Sequence, residues 1–326
     1  MKRTAFVTGA TGFLGLNLVE QLTKTNWDIY CLHRPTSNLK YLDRFQVNKV
    51  MGSIDDYGSL ENGMPLEVDA VFHMAANTSM WSKNNDQQYR DNVIGTRNMV
   101  NCALAKKAKR FIHTSSIAAF GRHSKKINES TPSNALTSGI NYYVTKYQAE
   151  EEVIQAYQNG LDVVILNPIH IMGPYDTHNW SQVIQSVYYD KLPGIPTGKG
   201  MFCHGREVAK AHLIAVDKGK NGERYLLGGM EVSFLELINE IQSMFNKKPS
   251  TKTTPVWALK LGSFLFGIGA VFTNKEPQLT PEKVKIVTDT MTCDDSKARD
   301  QLSYQHTSIR EIVSDSYEWM REEKLL

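Results

Sequence analysis

Two residues one helical turn apart, Tyr142 and Lys146, have the types and spacing of a proton-transfer pair. Positions i and i+4 lie on one face of a helix, so a phenol and an ammonium can act there on one ligand. A free phenol has a pKa of about 10, and an adjacent ammonium favours the phenolate, so we expect Lys146 to lower the pKa of Tyr142. Such a phenol can donate a proton to a carbonyl or accept one from an alcohol. About one such spacing is expected by chance, so position along the chain carries the argument.

Two serines, Ser115 and Ser116, follow an apolar run at 110–114 that we predict to be the fifth strand. Parallel sheets of this kind bind ligands at the carboxyl ends of their strands. A hydroxyl there can donate a hydrogen bond to an oxygen that gains negative charge. Neither serine lies in a Gly-x-Ser-x-Gly turn, so we expect a hydrogen-bond donor and not a nucleophile.

A glycine-rich turn, TGATGFLG at residues 8–15, follows the first predicted strand and opens a helix. In such a turn Gly9 permits the tight bend, Gly12 lets the backbone approach a pyrophosphate, and Gly15 allows close packing of helix on strand. The amino end of the helix offers free N–H groups to the phosphates. The sequence therefore predicts a dinucleotide site.

The end of the second predicted strand indicates which dinucleotide binds. An acidic residue there would accept from the ribose hydroxyls of NAD, whereas an arginine accommodates the 2′-phosphate of NADP. The chain has Arg34 and no acid in the segment 31–35. A guanidinium can hold a phosphate with paired hydrogen bonds, so we expect NADP(H) to be preferred, with NAD(H) as the alternative.

These residues lie along an alternation of short apolar runs and helical patterns, which builds a doubly wound parallel sheet. We predict an α/β chain with a Rossmann domain at 1–170, to which 205–230 returns. A smaller, mainly helical cap that binds substrate is expected at 171–204 and 231–326. The predicted strands are 3–8, 28–33, 49–51, 70–74, 110–114, 162–167 and 223–227, and the predicted helices lie near 13–25, 56–63, 86–107, 141–159, 180–190, 205–218, 233–246, 255–270, 280–289 and 307–323.

Composition excludes several classes of protein. A net charge of +3 over 326 residues gives no argument for a nucleic acid partner. The four cysteines lie far apart, without a C-x-x-C pair or a histidine at metal-ligand spacing, so we expect reduced thiols, no metal and a cytoplasmic location. No signal peptide is recognisable. The apolar segment 261–272 is too short to span a bilayer, which needs about 20 residues; a buried helix is favoured over a membrane-surface one.

The chain resembles an extended short-chain dehydrogenase/reductase of the dihydroflavonol-4-reductase-like branch, in the NAD-dependent epimerase/dehydratase family. The shared segments cover nearly the whole length: TGATGFLG (8–15), HRPTSN (33–38), HMAA (73–76), NVIGTRN (92–98), HTSSIAAFG (113–121), YYVTKYQAE (142–150), NPIHIMGP (167–174), GERYLLGG (222–229) and SKARDQLSY (296–304).

The resemblance implies roles for individual residues. Ser116, Tyr142 and Lys146 become the catalytic triad, with Tyr142 as proton donor and Lys146 also holding the nicotinamide ribose. Asn92 is placed near the site. The implied cofactor contacts are Gly9, Thr11, Gly12, Phe13, Leu14, Gly15, Arg34, Ile54, Ala75, Ala76, Thr114, Tyr142, Lys146, Asn167, Pro168 and Ile169.

Departures from the family narrow the substrate. Where the family often has an adenine-binding aspartate, this chain has Ser53. Where the plant flavonoid reductases have a substrate-binding asparagine, it has Gly121, so a flavonoid is not the expected substrate. Ile117, Ala118 and Ala119 follow Ser116, in the place where nucleotide-sugar dehydratases have an acidic pair.

The sequence therefore predicts an NADPH-dependent reductase of a small-molecule aldehyde or ketone, with an apolar compound as one candidate substrate, that works as a monomer or a homodimer. Two alternatives stay open. One is a nucleotide-sugar epimerase or dehydratase with a bound nicotinamide cofactor, and the other is a dinucleotide-binding regulator without catalysis. A homodimer would pair the helices near 86–107 and 141–159.

Overall fold

The structure, a computed structural model, describes residues 2–273 and 275–326, without the side chains of residues 271 and 272. The strands are β1 (Arg3–Thr8), β2 (Trp27–His33), β3 (Asn48–Met51), β4 (Ala70–His73), β5 (Phe111–Thr114), β6 (Val163–Pro168), β7 (His170–Met172), β8 (Lys199–His204), β9 (Glu223–Leu227), β10 (Met230–Ser233) and β11 (Thr290–Met291). The helices are α1 (Phe13–Thr23), α2 (Tyr57–Gly63), α3 (Asn85–Tyr89), α4 (Gly95–Ala105), α5 (Asn141–Gln158), α6 (Trp180–Tyr188), α7 (Gly205–Lys218), α8 (Phe234–Met244), α9 (Val256–Thr273), α10 (Pro281–Val287), α11 (Ser296–Leu302) and α12 (Ile309–Glu322).

Seven parallel strands form the main sheet, in the order β3-β2-β1-β4-β5-β6-β9. The strand order reverses beside β1, so the carboxyl ends of β1 and β4 open a crevice at the switch point. Strands β4, β5 and β6 are buried along their whole length, as expected for strands that are covered on both faces. The predicted doubly wound α/β fold is confirmed.

Helices cover both faces of this sheet. Helices α1 and α7 pack together on one face, where Leu16, Leu22 and Val208 are buried. On the other face α2, α4 and α5 contribute Leu60, Val100 and Val153 to a second core. Strand β9 is therefore part of the main sheet, because it pairs with β6 along its whole length. Helix α7 packs on the same sheet.

The remaining C-terminal elements build a second layer with its own core, in which α6, α8 and α12 bury Ile184, Leu237 and Ile312. A four-stranded sheet supports these helices: β8 pairs antiparallel with β10 and parallel with β7 and β11. The sequence predicted helices in this part of the chain and missed this sheet.

The helix predicted near 86–107 is not uniform. Between α3 and α4 the segment Arg90–Ile94 makes a π turn, in which hydrogen bonds skip one residue further than in an α-helix. Such turns occur mostly at functional sites, and this one contains Asn92.

The segment 261–272, expected to be buried, lies within α9, which exposes most of its described apolar side chains to solvent. No helix in the described residues is long and apolar enough to cross a membrane.

Candidate active site

The glycine turn forms a tight cradle beside β4. Gly9 has φ +69°, and a Cβ on it would lie 2.7 Å from the backbone nitrogen of Ala75. A Cβ on Gly15 would lie 2.0 Å from the Gly9 carbonyl oxygen, so α1 packs directly against the turn. Gly12 caps α1 without a side chain, which leaves the amides at the helix start available to a ligand. The cradle therefore fits a pyrophosphate.

A hydrogen-bond chain beneath the turn fixes the loop after β4. The Thr8 hydroxyl accepts from the amides of Met74 and Ala75, each at 3.2 Å, and donates to His73 Nδ1 at 2.8 Å. His73 Nε2 donates to the Thr96 hydroxyl at 3.0 Å, since that hydroxyl itself donates to the Asn92 carbonyl. Burial lowers the pKa of His73 to about 3, so this link is a neutral imidazole.

A cleft of about 990 Å³ opens above the turn at the carboxyl edge of the sheet. That volume suits a large ligand such as a dinucleotide. Of the residues predicted to contact the cofactor, seven line it: Gly9, Thr11, Gly12, Arg34, Ile54, Ala75 and Ala76. Ser53 also lines it, at the position where the adenine-binding acid was missing.

Arg34 stands exposed at the rim of this cleft. Its backbone is held in a turn, where the Ser37 hydroxyl accepts from the Arg34 amide at 3.1 Å and the Arg34 carbonyl accepts from the Ser37 amide at 3.0 Å. The described part of the chain records no partner for its guanidinium. A fixed backbone and an unengaged guanidinium fit an anionic ligand group.

The three residues of the predicted triad meet beyond this cleft, where β5 ends. The Ser116 side chain lies close enough to the Tyr142 hydroxyl to oppose the rise in the pKa of that phenol. The Lys146 ammonium donates to the Thr114 carbonyl oxygen at 2.9 Å. Ser116 and Lys146 are buried, and Tyr142 borders a second cavity of about 250 Å³. The structure thus places all three side chains at the carboxyl end of one strand.

The pKa of Tyr142 departs from the sequence expectation. Burial raises it, and only the nearby Ser116 side chain opposes this shift. Burial also lowers the pKa of Lys146 to about 8, so Lys146 is still mostly protonated at neutral pH. Burial therefore dominates the Tyr142 pKa, and the phenol stays protonated at neutral pH.

Asn92 connects the cofactor cleft to the start of α5. Its side-chain oxygen accepts from the Asn77 amide at 2.7 Å. Its nitrogen donates to the Asn77 carbonyl at 3.0 Å and to the Thr145 hydroxyl at 3.1 Å. The π turn therefore aims one side chain at two elements, the loop after β4 and the helix that carries Tyr142 and Lys146.

Behind the triad, a buried polar group joins Asn167, which was predicted as a cofactor contact, to Glu150 and Arg224, which the sequence analysis missed. Asn167 Nδ2 donates to the Ser116 carbonyl at 3.0 Å and to Glu150 Oε1 at 2.6 Å. The other Glu150 oxygen pairs with Arg224 of β9 at 3.1 Å. The glutamate in the segment 142–150 was the only signal, and its partners lie far away along the chain.

The other predicted contacts lie outside the large cleft. The Phe13 ring packs against Gly205, and Leu14 packs against the core. The Thr114 hydroxyl donates to His212 Nε2 at 2.8 Å, since His212 Nδ1 donates to the Val208 carbonyl. Pro168 ends β6, and the Ile169 amide donates to the Leu227 carbonyl at 3.2 Å.

Gly121 has a backbone that requires glycine. Its φ is +82°, and a Cβ there would lie 2.0 Å from the Asn134 side-chain oxygen. An asparagine cannot occupy this position without rebuilding the loop, which gives a physical reason for the departure from the plant flavonoid reductases.

Comparison with known proteins places this geometry in context. The model of the NAD dependent epimerase/dehydratase family matches residues 5–228. The chain is 31% identical to a protein of Synechocystis sp. named "Putative dihydroflavonol 4-reductase", over 97% of this chain and 94% of that one. It is 28% identical to sterol demethylase protein B of Methylococcus capsulatus, over 99% and 100%. It is also 28% identical to a 4-hydroxy-2-methyl-3-oxo-4-farnesyl-3,4-dihydroquinoline-1-oxide ketoreductase of Stigmatella aurantiaca, over 92% and 91%.

Solved structures agree on the fold. The crystal structure of gox2253 superposes with a TM-score of 0.84 at 28% identity, over 99% of each chain. A UDP-glucuronic acid 4-epimerase of Bacillus cereus in complex with NAD has a TM-score of 0.76 at 21% identity, over 98% of this chain and 99% of that one. The second likeness concerns the fold alone.

Proposed function

The chain belongs to the NAD dependent epimerase/dehydratase family, and we propose that within this family it is an NADPH-dependent reductase of aldehydes or ketones. The observation that carries the proposal is the meeting of the Ser116, Tyr142 and Lys146 side chains at the end of β5, where Lys146 is buried and donates to the Thr114 carbonyl. The bound nicotinamide cofactor supplies the hydride. The protein supplies the proton and positions the substrate and the cofactor.

Tyr142 is the general acid in this proposal. Its raised pKa keeps the phenol protonated at neutral pH, which suits the direction of reduction. The carbonyl carbon accepts the hydride and the carbonyl oxygen accepts the phenol proton, so the product is an alcohol. Ser116 donates a hydrogen bond to that oxygen as its charge develops. Lys146 holds the nicotinamide ribose and, with a pKa of about 8, can return a proton to Tyr142.

Arg34 is the basis for preferring NADPH over NADH. Its guanidinium lies at the rim of the cleft that the glycine turn forms, where it can pair with the 2′-phosphate. We propose that the sixteen contacts predicted from the sequence hold this cofactor, with the sheet and its returning segment 205–230 as the cofactor domain. Segments 171–204 and 231–326 form the substrate cap.

The residues after Ser116 favour reduction over sugar chemistry. Ile117, Ala118 and Ala119 are buried and apolar, so the residues that directly follow the serine offer no acid or base. A dehydratase would need such a pair. The relatives named as reductases, at 28–31% identity, support the same choice. The four buried free thiols suit a reducing compartment, and we propose a cytoplasmic location.

The test is an absorbance assay with purified protein, NADPH or NADH, and a panel of aldehydes, ketones and nucleotide sugars. We expect NADPH oxidation with at least one apolar carbonyl. Tyr142→Phe should lower kcat about 10²- to 10⁴-fold, the usual contribution of a general acid. Tyr157→Phe, on the exposed side of the same helix, is the matched control and should leave kcat unchanged.

Three results contradict the proposal. Interconversion of a nucleotide sugar without oxidation of NADPH by any carbonyl identifies an epimerase. Unchanged turnover in Tyr142→Phe contradicts the role of Tyr142 as general acid, even where reduction is observed. Cofactor binding without any turnover identifies the regulator.

A further inference from the structure

Helix α9 presents a continuous apolar stripe to solvent. Trp257, Leu261, Phe264 and Ile268 are 70%, 53%, 64% and 46% exposed. Their spacing of i, i+4, i+7 and i+11 puts the four side chains on one face of the helix. Leu265, beside them, is 58% exposed. Contiguous exposed apolar surface of this kind marks an interaction site.

The opposite face of α9 is already packed. Leu259, Ser263 and Ala270 are buried, and α10 packs against the helix. Helix α9 therefore packs against the rest of the described protein with this opposite face, and the apolar stripe is not needed for that packing.

The chain around α9 is strongly basic. Residues 241–275 contain five lysines and no aspartate or glutamate, a local net charge of +5 in a chain whose total is +3. Lys247 pairs with Asp190. Lys248, Lys252, Lys260 and Lys275 are exposed, and the described residues give them no ion pair. Lysines thus flank the apolar stripe at both of its ends.

We propose that α9 docks this protein onto an anionic lipid surface, with the helix lying in the plane of the interface. An apolar face flanked by lysines, with a tryptophan at one end, is the pattern of an interfacial helix. Each lysine near an anionic surface adds to the attraction. A second copy of the chain fits this face less well, because a two-fold interface repeats one patch on both subunits and would bring lysines against lysines.

Docking would place the mouth of the active site next to the lipid. Shortly after α9, the Glu276 carboxylate accepts from the Ser79 hydroxyl at 2.7 Å and from the Met80 amide at 3.3 Å. Residues 276–278 line the cofactor cleft, and Ser79 and Met80 line the cavity beside Tyr142. An apolar carbonyl compound dissolved in the bilayer could then enter from the membrane side, a consequence that also rests on the proposed function.

The test measures flotation of the full chain with lipid vesicles and needs no activity. We expect binding to phosphatidylcholine vesicles that contain about a third phosphatidylglycerol, and weaker binding to phosphatidylcholine alone or at high salt. Phe264→Glu should weaken binding at least about tenfold, because a charge would enter the apolar boundary. Lys252→Glu with Lys260→Glu should remove the preference for anionic vesicles. Leu66→Glu is the matched control, since Leu66 is 65% exposed outside this region.

Thermal unfolding of each variant checks that the fold is kept, which is expected because Phe264 already faces solvent. Absence of binding to anionic vesicles by the folded wild-type chain overturns the proposal, as does equal binding by Phe264→Glu. A concentration-dependent dimer that Phe264→Glu dissolves, without vesicle binding, assigns the face to a second copy. None of these results depends on whether the chain reduces carbonyls.

Discussion

At the scale of single residues, Arg34 decides the choice of dinucleotide in our proposal. We predict that Arg34→Asp lowers the ratio of kcat/KM for NADPH over NADH by at least about 10²-fold, because a charge-assisted phosphate contact is worth about 1.5–3 kcal/mol and the carboxylate adds repulsion. Steady-state kinetics with both cofactors measure the ratio. Arg310→Asp, at an exposed site on α12, is the control. An unchanged ratio in Arg34→Asp would assign the preference to another residue.

Individual residues also show which features of the site could not be predicted from the sequence. The pair Tyr142 and Lys146 was predicted from spacing, and the structure brings it to Ser116. The direction of the Tyr142 pKa shift was wrong, because spacing carries no information on burial. Glu150 and Arg224 could not be assigned to the site, since the ion pair between them forms only after β9 joins the sheet beside β6.

At the scale of elements, the buried Glu150 carboxylate joins α5 to β6 through Asn167 and to β9 through Arg224. We predict that Glu150→Leu lowers the free energy of unfolding by about 3 kcal/mol, because it strands the Arg224 guanidinium and removes a partner of Asn167. It should also lower kcat, since Asn167 positions the Ser116 backbone. Denaturant unfolding and kinetics measure the two effects.

Glu150→Gln separates a positioning role from a merely structural one. The glutamine oxygen can still accept from Asn167, so we expect kcat to recover while most of the stability loss remains. If both variants keep wild-type kcat at equal loss of stability, the link does not position the active site.

The contact between the glycine turn and α1 supports a second prediction at this scale. Gly15→Ala should raise the Kd for NADPH at least about tenfold, because its Cβ would collide with the Gly9 carbonyl and shift the cradle. Isothermal titration measures the Kd. Gly58→Ala in α2 is the control, since its Cβ would meet only Asp56 Oδ1 at 3.4 Å. Equal affinities in the two variants would mean that the cradle tolerates the shift.

Elements with a periodic pattern were predicted well, and elements that depend on distant partners were not. The strands of the main sheet were recognised as apolar runs followed by helices. Strand β7 begins two residues after Pro168, and β8 lies in a stretch punctuated by glycine and proline, so both looked like loops. Their pairing with each other and with β10 and β11 forms them.

At the scale of the whole molecule, neutral buried histidines predict sensitivity to acid. Burial lowers the pKa of His73 to about 3 and of His212 to about 4. Between pH 6.5 and 4 the unfolded chain binds protons that the folded chain excludes, so stability falls as the pH falls. Each such histidine removes up to about 1.4 kcal/mol per pH unit, and we predict unfolding above pH 4.

Denaturant unfolding at pH 7, 6 and 5 measures how the free energy of unfolding depends on pH. We expect each such histidine to contribute up to about 1.4 kcal/mol per pH unit to that dependence. His212→Gln should flatten the dependence on pH by that amount. Parallel curves for wild type and His212→Gln would show that this histidine does not contribute.

The path of the chain between the two layers has a consequence for biosynthesis. Residues 170–204 build the second layer before α7 and β9 return to the main sheet. During translation β6 therefore stays an unpaired edge while about fifty residues after it are made. An exposed apolar edge invites association between nascent chains. A ribosome that pauses before β9 is complete keeps the edge of β6 exposed for longer, so slow codons between β6 and β9 should reduce the yield of folded protein more than slow codons after β9.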